Sequence, residues 1–451
     1  MTALSFSTLP APSIGIAALI STAIFLLLFI AISFQLLHET AAALLGAVAA
    51  LLVTYIGGHF NPALRIISFE EGMSFVDWNV IFLIMGMMIF MAILSETNVF
   101  KWMAFRIYRR ARGNAWLIAA SLVILTGITS AFLNDVTAIL LIVPLSIQIA
   151  IAIDFHPYAI VIPEVMASNI GGAATLIGDP PSTIVGSHLD LSFGEYLVNM
   201  APVAVIGMLI LLLYMRKTYR KEYDQAKGTL SPQLLAKMAS ESTIENRPTL
   251  YKAVILGAVT FVLFFLADHF DHMPPSVVAL TGATLLIIWV RPNIHRMLRE
   301  VDWTTLLFFI GLFIVVGGME ATSAISWVAA RIQALAGDSI TRAVLLTTWI
   351  TGIASAIVAN IPFTVAALPI ADVLSASIPL AAESRVIYWA LILGADLGGN
   401  ATFLGSAPNI VAVGLLAQAG YRLRFLRFMR DGVPVTLLTL LVATLWLLLR
   451  Y

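Results

Sequence analysis

Residues 168–186 read SNIGGAATLIGDPPSTIVG, and an echo of that stretch, DLGGNATFLGSAPN, lies at residues 396–409. Both sit inside long apolar segments, where paired glycines, prolines and an aspartate all cost insertion energy. Their shared frame is Gly-Gly-x-Ala-Thr-x-x-Gly-x-x-Pro, from Gly171 to Pro181 and from Gly398 to Pro408. A bilayer tolerates non-helical backbone only where protein or a water-filled cavity satisfies the freed amide and carbonyl groups. Two such breaks in corresponding halves of a chain point to the substrate site of a secondary transporter.

Composition agrees with a polytopic membrane protein. The 451 residues are 60% hydrophobic and only 11% charged, with no formal net charge, against about 25% charged in soluble domains. There is no cysteine, which excludes disulfides, thiolate metal sites and a cysteine nucleophile. No basic stripe, stacking array or zinc-finger spacing supports nucleic-acid binding. The start lacks the positive n-region of a signal peptide, and the apolar run after it is long enough to be a first transmembrane helix.

Runs of spanning length fall near 14–34, 40–58, 78–95, 156–186, 197–215, 250–267, 274–290, 303–319, 385–418 and 433–450. Two further runs, 115–153 and 340–381, are too long for one crossing and break midway at Leu133-Asn134-Asp135 and Ala359-Asn360-Ile361-Pro362. Each is either two full helices or a re-entrant hairpin. The chain also repeats itself. VDWNVIFLIMGMMIF from Val76 resembles VDWTTLLFFIGLFIV from Val301, and that offset of 225 pairs Gly127 with Gly352, Asp135 with Asn360 and Pro144 with Pro369. The glycine motifs align at an offset of 227. The halves are 1–245, including a polar linker at about 219–249, and 246–451.

Charge decides between the two readings of the broken runs. If both are hairpins, each half crosses five times, and the loops Lys101–Arg112, Arg216–Lys252, Arg291–Arg299 and Arg422–Arg430 share one side. Those loops hold twenty of the 25 Lys and Arg residues. The positive-inside rule then puts them in the cytoplasm and both termini outside. The expected fold is an all-α polytopic membrane protein of two inverted repeats. Each repeat has five transmembrane helices and one re-entrant helical hairpin, about ten crossings with broken helices at the midplane. Residues 98–112 and 322–336 mix charge with apolar residues at helical spacing and read as interfacial helices.

Candidate site residues follow from the breaks. Asn134 and Asp135 sit at the first hairpin, and an aspartate at the bilayer centre costs about 2.5–3.5 kcal/mol on insertion scales, so it is a functional candidate by default. The plainer reading is that Asp135 caps the following helix at Thr137. The first glycine motif offers Asn169, Thr175 and Asp179, with Gly171 and Gly172 allowing close backbone approach. Thr175 and Ser182 could equally bond back to helix carbonyls. The downstream counterparts are Asn360 and Thr364, then Asp396, Gly398, Gly399, Asn400, Thr402, Ser406 and Asn409. Asp135, Asp179, Asp396 and Glu164 are the proton-coupling candidates. The run DHFDH at 268–272 reads as a solvated loop rather than a metal site, because no third region supplies ligands. Asp77 and Asp302 read as helix caps. No cofactor or metal is expected.

FLNDVTAILLIVP at 132–144, followed by SNIGGAATLIGDPP, resembles the ion transporter superfamily, in the branch of arsenite/antimonite permeases, NhaD-type sodium/proton antiporters and the melanosomal P protein. The resemblance implies a scaffold, a moving transport domain, and a midplane site formed by Asn134, Asp135, Thr137, Asn169, Gly172, Thr175, Asn360, Asp396, Gly399, Asn400 and Thr402. It further implies residence in a bacterial-type inner membrane. Some arsenite permeases associate with a cytosolic ATPase. Dicarboxylate carriers of the superfamily place Ser-Asn-Thr at both hairpins, whereas here they read Leu133-Asn134-Asp135 and Ala359-Asn360-Ile361. The added carboxylate disfavours a di-anion. The expected function is arsenite/antimonite extrusion, as the neutral trihydroxide, in exchange for protons. Sodium/proton antiport is the alternative. A channel is a more distant rival, as is an intramembrane aspartyl protease, whose Gly-x-Gly-Asp signature fails at Leu176.

Overall fold

The computed structural model describes residues 15–226, 232–270, 273–337 and 339–451, and every regular element among them is helical. Eleven helices among the described residues are long and apolar enough to cross a bilayer. Four of these, Ala115–Phe132, Asp135–Ala152, Ile340–Ile357 and Asn360–Ser377, are the arms of the two hairpins. The other seven, the shorter helix Pro275–Val290 and two helices interrupted at the glycine motifs supply five crossings per repeat. The boundaries follow local chemistry. Asp77 accepts the amides of Asn79 and Val80 at 2.9 and 3.2 Å, and Asp302 those of Thr304 and Thr305 at 3.1 Å each. Burial works against the charged form of Asp302, yet the Thr304 and Thr305 hydroxyls and amides outweigh it and hold the carboxyl below its ordinary range.

Arms of 18 residues would be about 27 Å long at 1.5 Å per residue, enough to cross, so length alone does not make a hairpin re-entrant. The tips do. Each docks on the middle of a broken crossing helix: the Thr175 hydroxyl donates to the Ala131 carbonyl beside the first tip, and the Asn360 amide donates to the Gly405 carbonyl at 3.1 Å. A tip anchored at mid-membrane cannot emerge on the far side.

One sequence expectation changes in detail. The connection read as a plain polar linker contains the helices Arg220–Gln225 and Pro232–Glu241, the second with buried Met238; residues 227–231 of that linker lie outside the described residues. Of the DHFDH run, Asp271 and His272 also lie outside them. Among the described residues no group of three His, Cys, Asp or Glu could hold a metal.

The chain forms two compact units that cut across the sequence repeats. One takes 15–76, 307–343 and 365–387, and the other 77–306, 344–364 and 388–451. In the first unit, Ala43 backbone packs where a Cβ on Gly311 would stand, and Ser21 and Thr322 hydroxyls meet at 2.8 Å. The second unit contains both hairpin tips and both glycine breaks.

Candidate substrate site

The site is built on one backbone device used twice. In the first repeat, helix Tyr158–Gly172 stops, residues 173–179 run open, and Pro180 begins the helix Pro180–His188. Proline suits a first helical turn, since its missing N–H would have no partner there. A Cβ on Gly171 would collide with the Gly127 carbonyl of the hairpin, and one on Gly398 would collide with that of Gly352. Ser130 donates to the Ser168 carbonyl at 2.7 Å, and Ser355 to that of Ala395 at 2.6 Å. Thr175 donates to Ala131, and Thr402 to Ala356. Gly178 lies against Gly172 and Ser130, and Gly405 against Gly399 and Ser355. These pairs reproduce the offsets of 225 and 227 found in the sequence.

On this shared frame the two halves present different side chains. Asn169 and Asp396 are equivalent, as are Asp179 and Ser406, and Ser182 and Asn409. Asn169 donates through Nδ2 to Oδ1 of Asn400 at 2.8 Å and of Asn409 at 3.1 Å, and its own Oδ1 accepts from Ser406 at 2.9 Å. Asn409 Nδ2 donates onward to the carbonyls of Gly399 and Thr402, at 2.8 and 2.9 Å. In the equivalent place, Asp396 Oδ2 accepts from Ser182 at 3.1 Å, and Ser182 accepts from the Tyr196 hydroxyl at 2.6 Å. The charges of Asp396 and Asp135 reach Asp179. Asp396 Oδ1, both carboxyl oxygens of Asp179, and Nδ2 of Asn360 and Asn400 are buried with no hydrogen-bond partner among the described residues.

Such vacancies are unusual, because most buried polar atoms in folded proteins are paired. No Lys or Arg occurs between Gly113 and Met215, between Ala343 and Ser384 or between Val386 and Tyr421. Asp431 shows how this chain treats a buried carboxylate elsewhere: the Tyr219 hydroxyl donates to it at 2.5 Å, and Arg430 and Arg427 approach to 3.5 and 3.9 Å. Burial and the Asp431 charge push the Tyr219 phenol well above its ordinary range.

Most of the expected residues come together here, with three adjustments. The cap of helix Asp135–Ala152 is Asn134, whose Oδ1 accepts the Val136 amide at 3.1 Å and the Thr137 amide at 3.4 Å. Asp135 is that helix's first residue and is buried; its Oδ1 accepts the neighbouring Val136 amide at 2.8 Å, and the Thr137 amide goes to Asn134. Ser182 does not bond back to its own helix; it serves Asp396. Glu164 stands apart from the three aspartates: Ser146 donates to its Oε1 at 2.5 Å, and Oε2 has no partner. Beside it, Pro163 leaves the Ala159 carbonyl without a helical donor, and the Tyr223 hydroxyl fills that place at 2.6 Å. Burial, reinforced by Glu222 and Glu164, pushes the Tyr223 phenol well above its ordinary range. Tyr196 and Ser146 are the participants that sequence reading misses. The one signal either gives is a polar atom in an apolar run.

The model of the citrate transporter family, CitMHS, matches residues 24–394. A 46 kDa membrane protein of Mycobacterium leprae is 33% identical, the alignment covering 96% of this chain and 99% of that protein. An uncharacterized transporter of Mycobacterium tuberculosis, Rv2684, is 34% identical, with coverage of 96% and 99%. The human P protein is 29% identical over 96% of this chain, which spans 60% of that longer protein. The crystal structure of the YdaH transporter of Alcanivorax borkumensis shares the fold at a TM-score of 0.61 and 13% identity, covering 91% of this chain and 98% of that one. With its paired breaks and multiple apolar helices, the chain belongs to the CitMHS citrate transporter family and is a multi-pass membrane transporter.

Proposed function

We propose that this transporter is a secondary carrier of the bacterial plasma membrane that exchanges protons, by alternating access, for a small solute without negative charge. The observation that carries the reading is the cluster of Asp135, Asp179 and Asp396, all buried and none facing a basic side chain among the described residues. Enclosed charges of one sign are tolerated only when protons or a cation neutralise them. Citrate arriving alone would add negative charge to that cluster, so the family's name is not carried over to this chain's solute.

The first reading of the solute is arsenite or antimonite as the neutral trihydroxide. Three hydroxyls need acceptors and donors together, and both kinds are buried without a hydrogen-bond partner among the described residues: carboxyl oxygens of Asp179 and Asp396, and Nδ2 of Asn360 and Asn400. A bare sodium ion would leave those two donors unused. Sodium is the second reading, favoured by the number of carboxyl oxygens available. Asp179 or Asp396 takes a proton from outside and surrenders it inside as solute moves outward. The basic loops face the cytoplasm and both termini lie outside, following the positive-inside rule.

The test uses everted vesicles from an arsenite- and sodium-sensitive bacterium carrying this chain, with a fluorescent reporter of the pH gradient. Arsenite is expected to collapse the gradient and citrate to leave it intact, with Asp179→Asn and Asp396→Asn inert. A response to sodium alone would move the assignment to the second reading. Efflux indifferent to the pH gradient would end both.

A further inference from the structure

We infer that the second unit carries a binding site for a phosphate group, separate from the substrate site and supplied by the headgroup of an anionic phospholipid. The site is a cavity of about 680 Å³ framed by the amphipathic helix Val99–Ala111, the helix Pro232–Glu241 and the turn entering Arg247–Leu266. Trp102, Arg106, Arg109, Arg110, Ser242 and Arg247 line it.

The helix pattern explains how the guanidiniums come to share one cavity. Phe100, Ala104, Phe105 and Tyr108 are buried, which turns Arg106, Arg109 and Arg110 outward on the opposite side. Arg106 stacks over Trp102 at 5.1 Å. None of the four arginines makes an ion pair among the described residues. Glu245, two residues before Arg247, is engaged by Asn98 Nδ2 at 2.6 Å, and Glu241 also has a partner. Ser242 is only 4% exposed, and its hydroxyl makes no hydrogen bond among the described residues.

Four like charges held together repel one another, and a phosphate group would relieve that repulsion. Guanidinium forks match phosphate oxygens in pairs, and a buried hydroxyl adds a neutral donor. The location selects the source. An amphipathic helix with a tryptophan anchor lies in the membrane interface, where lipid phosphates are concentrated, and each basic residue near an anionic leaflet gains about 1 kcal/mol. The cavity is also larger than a phosphate ion needs, leaving room for a glycerol headgroup.

The full-length protein in neutral detergent tests this, with lipid retention read by native mass spectrometry and thermal unfolding read alongside. Phosphatidylglycerol is expected to be retained and to raise the unfolding temperature, while phosphatidylcholine does neither. Arg109→Gln/Arg110→Gln and Arg247→Gln should each weaken phosphatidylglycerol retention at least tenfold. Arg424→Gln, a basic residue outside the cavity, should not. Arg109→Lys/Arg110→Lys keeps the charge without the fork and should fall between; it also serves if the glutamine variant folds poorly. Stabilisation by inorganic phosphate equal to that by the lipid would overturn the lipid source. Retention that survives all the arginine substitutions would overturn the site.

Discussion

Asn169 and Asp396 hold the same place in the two repeats, and their surroundings differ in what is left unfinished. Around Asn169 nearly every donor meets an acceptor, through Asn400, Ser406, Asn409 and two backbone carbonyls. Around Asp396 one oxygen is held by Ser182, and the other, with both oxygens of Asp179, is unpartnered. A closed hydrogen-bond network fixes geometry, because any rearrangement strands a buried group at about 1–3 kcal/mol. An open set of buried acceptors does the reverse and is stabilised by whatever enters. The duplication has therefore produced a clamp around Asn169 and a receptor around Asp396, each drawing side chains from both repeats.

The largest expected effect falls on the receptor cluster. Asp179→Asn and Asp396→Asn should each reduce proton-coupled transport at least a hundredfold in vesicles while leaving the unfolding temperature unchanged or raised. Loss of fold with loss of transport would mean that the acidic cluster is also structural. Next come the seams. Gly171→Ala and Gly398→Ala each drive a methyl into a backbone carbonyl, and overpacking costs about 1–3 kcal/mol, here toward the upper end because a carbonyl in a helix cannot rotate away. The two should lower thermal stability equally; unequal loss would show that the frames are less alike than their side chains. Asn169→Ala should destabilise by about 1–3 kcal/mol through its stranded partners, measured by unfolding in detergent. Coupling should survive in whatever protein remains folded, which opposes the outcome at Asp396. The smallest pair is Thr175→Val and Thr402→Val. The first removes one hydroxyl bond worth about 1 kcal/mol; the second removes two, because Thr402 Oγ1 also accepts the Leu404 amide at 3.1 Å, so its loss should be the larger.

Much of this was legible in the sequence, for identifiable reasons. Run length and Gly-Pro punctuation report local backbone, so the hairpin tips at Asn134 and Asn360 and the open stretches after Gly172 and after the 3-10 turn Gly399–Ala401 fall where expected. The repeat offsets already aligned Gly127 with Gly352, and in the structure their carbonyls stand where a Cβ on Gly171 or Gly398 would go. Side-chain partnership is another matter. Asn169 meets Asn400 and Asn409 across 231 and 240 residues, and no periodicity encodes that. Which of two adjacent polar residues caps a helix was equally invisible, since Asn134 and Asp135 are both good caps and only geometry chose the asparagine. Glu164 looked like one more member of the aspartate group. Its place one helical turn and more before Asn169 instead gives it a different neighbour, Ser146.

The contacts Gly127–Gly171 and Gly352–Gly398 bring main chain directly against main chain, with no side chain between that could swing aside. Each hairpin is thereby keyed to its broken helix like a tongue in a groove, unable to slide or peel away without tearing the seam. A hairpin tip that flapped alone would break these backbone contacts. In the proposed exchange, tip and break are therefore carried together as one piece, with the bending done elsewhere along the polypeptide.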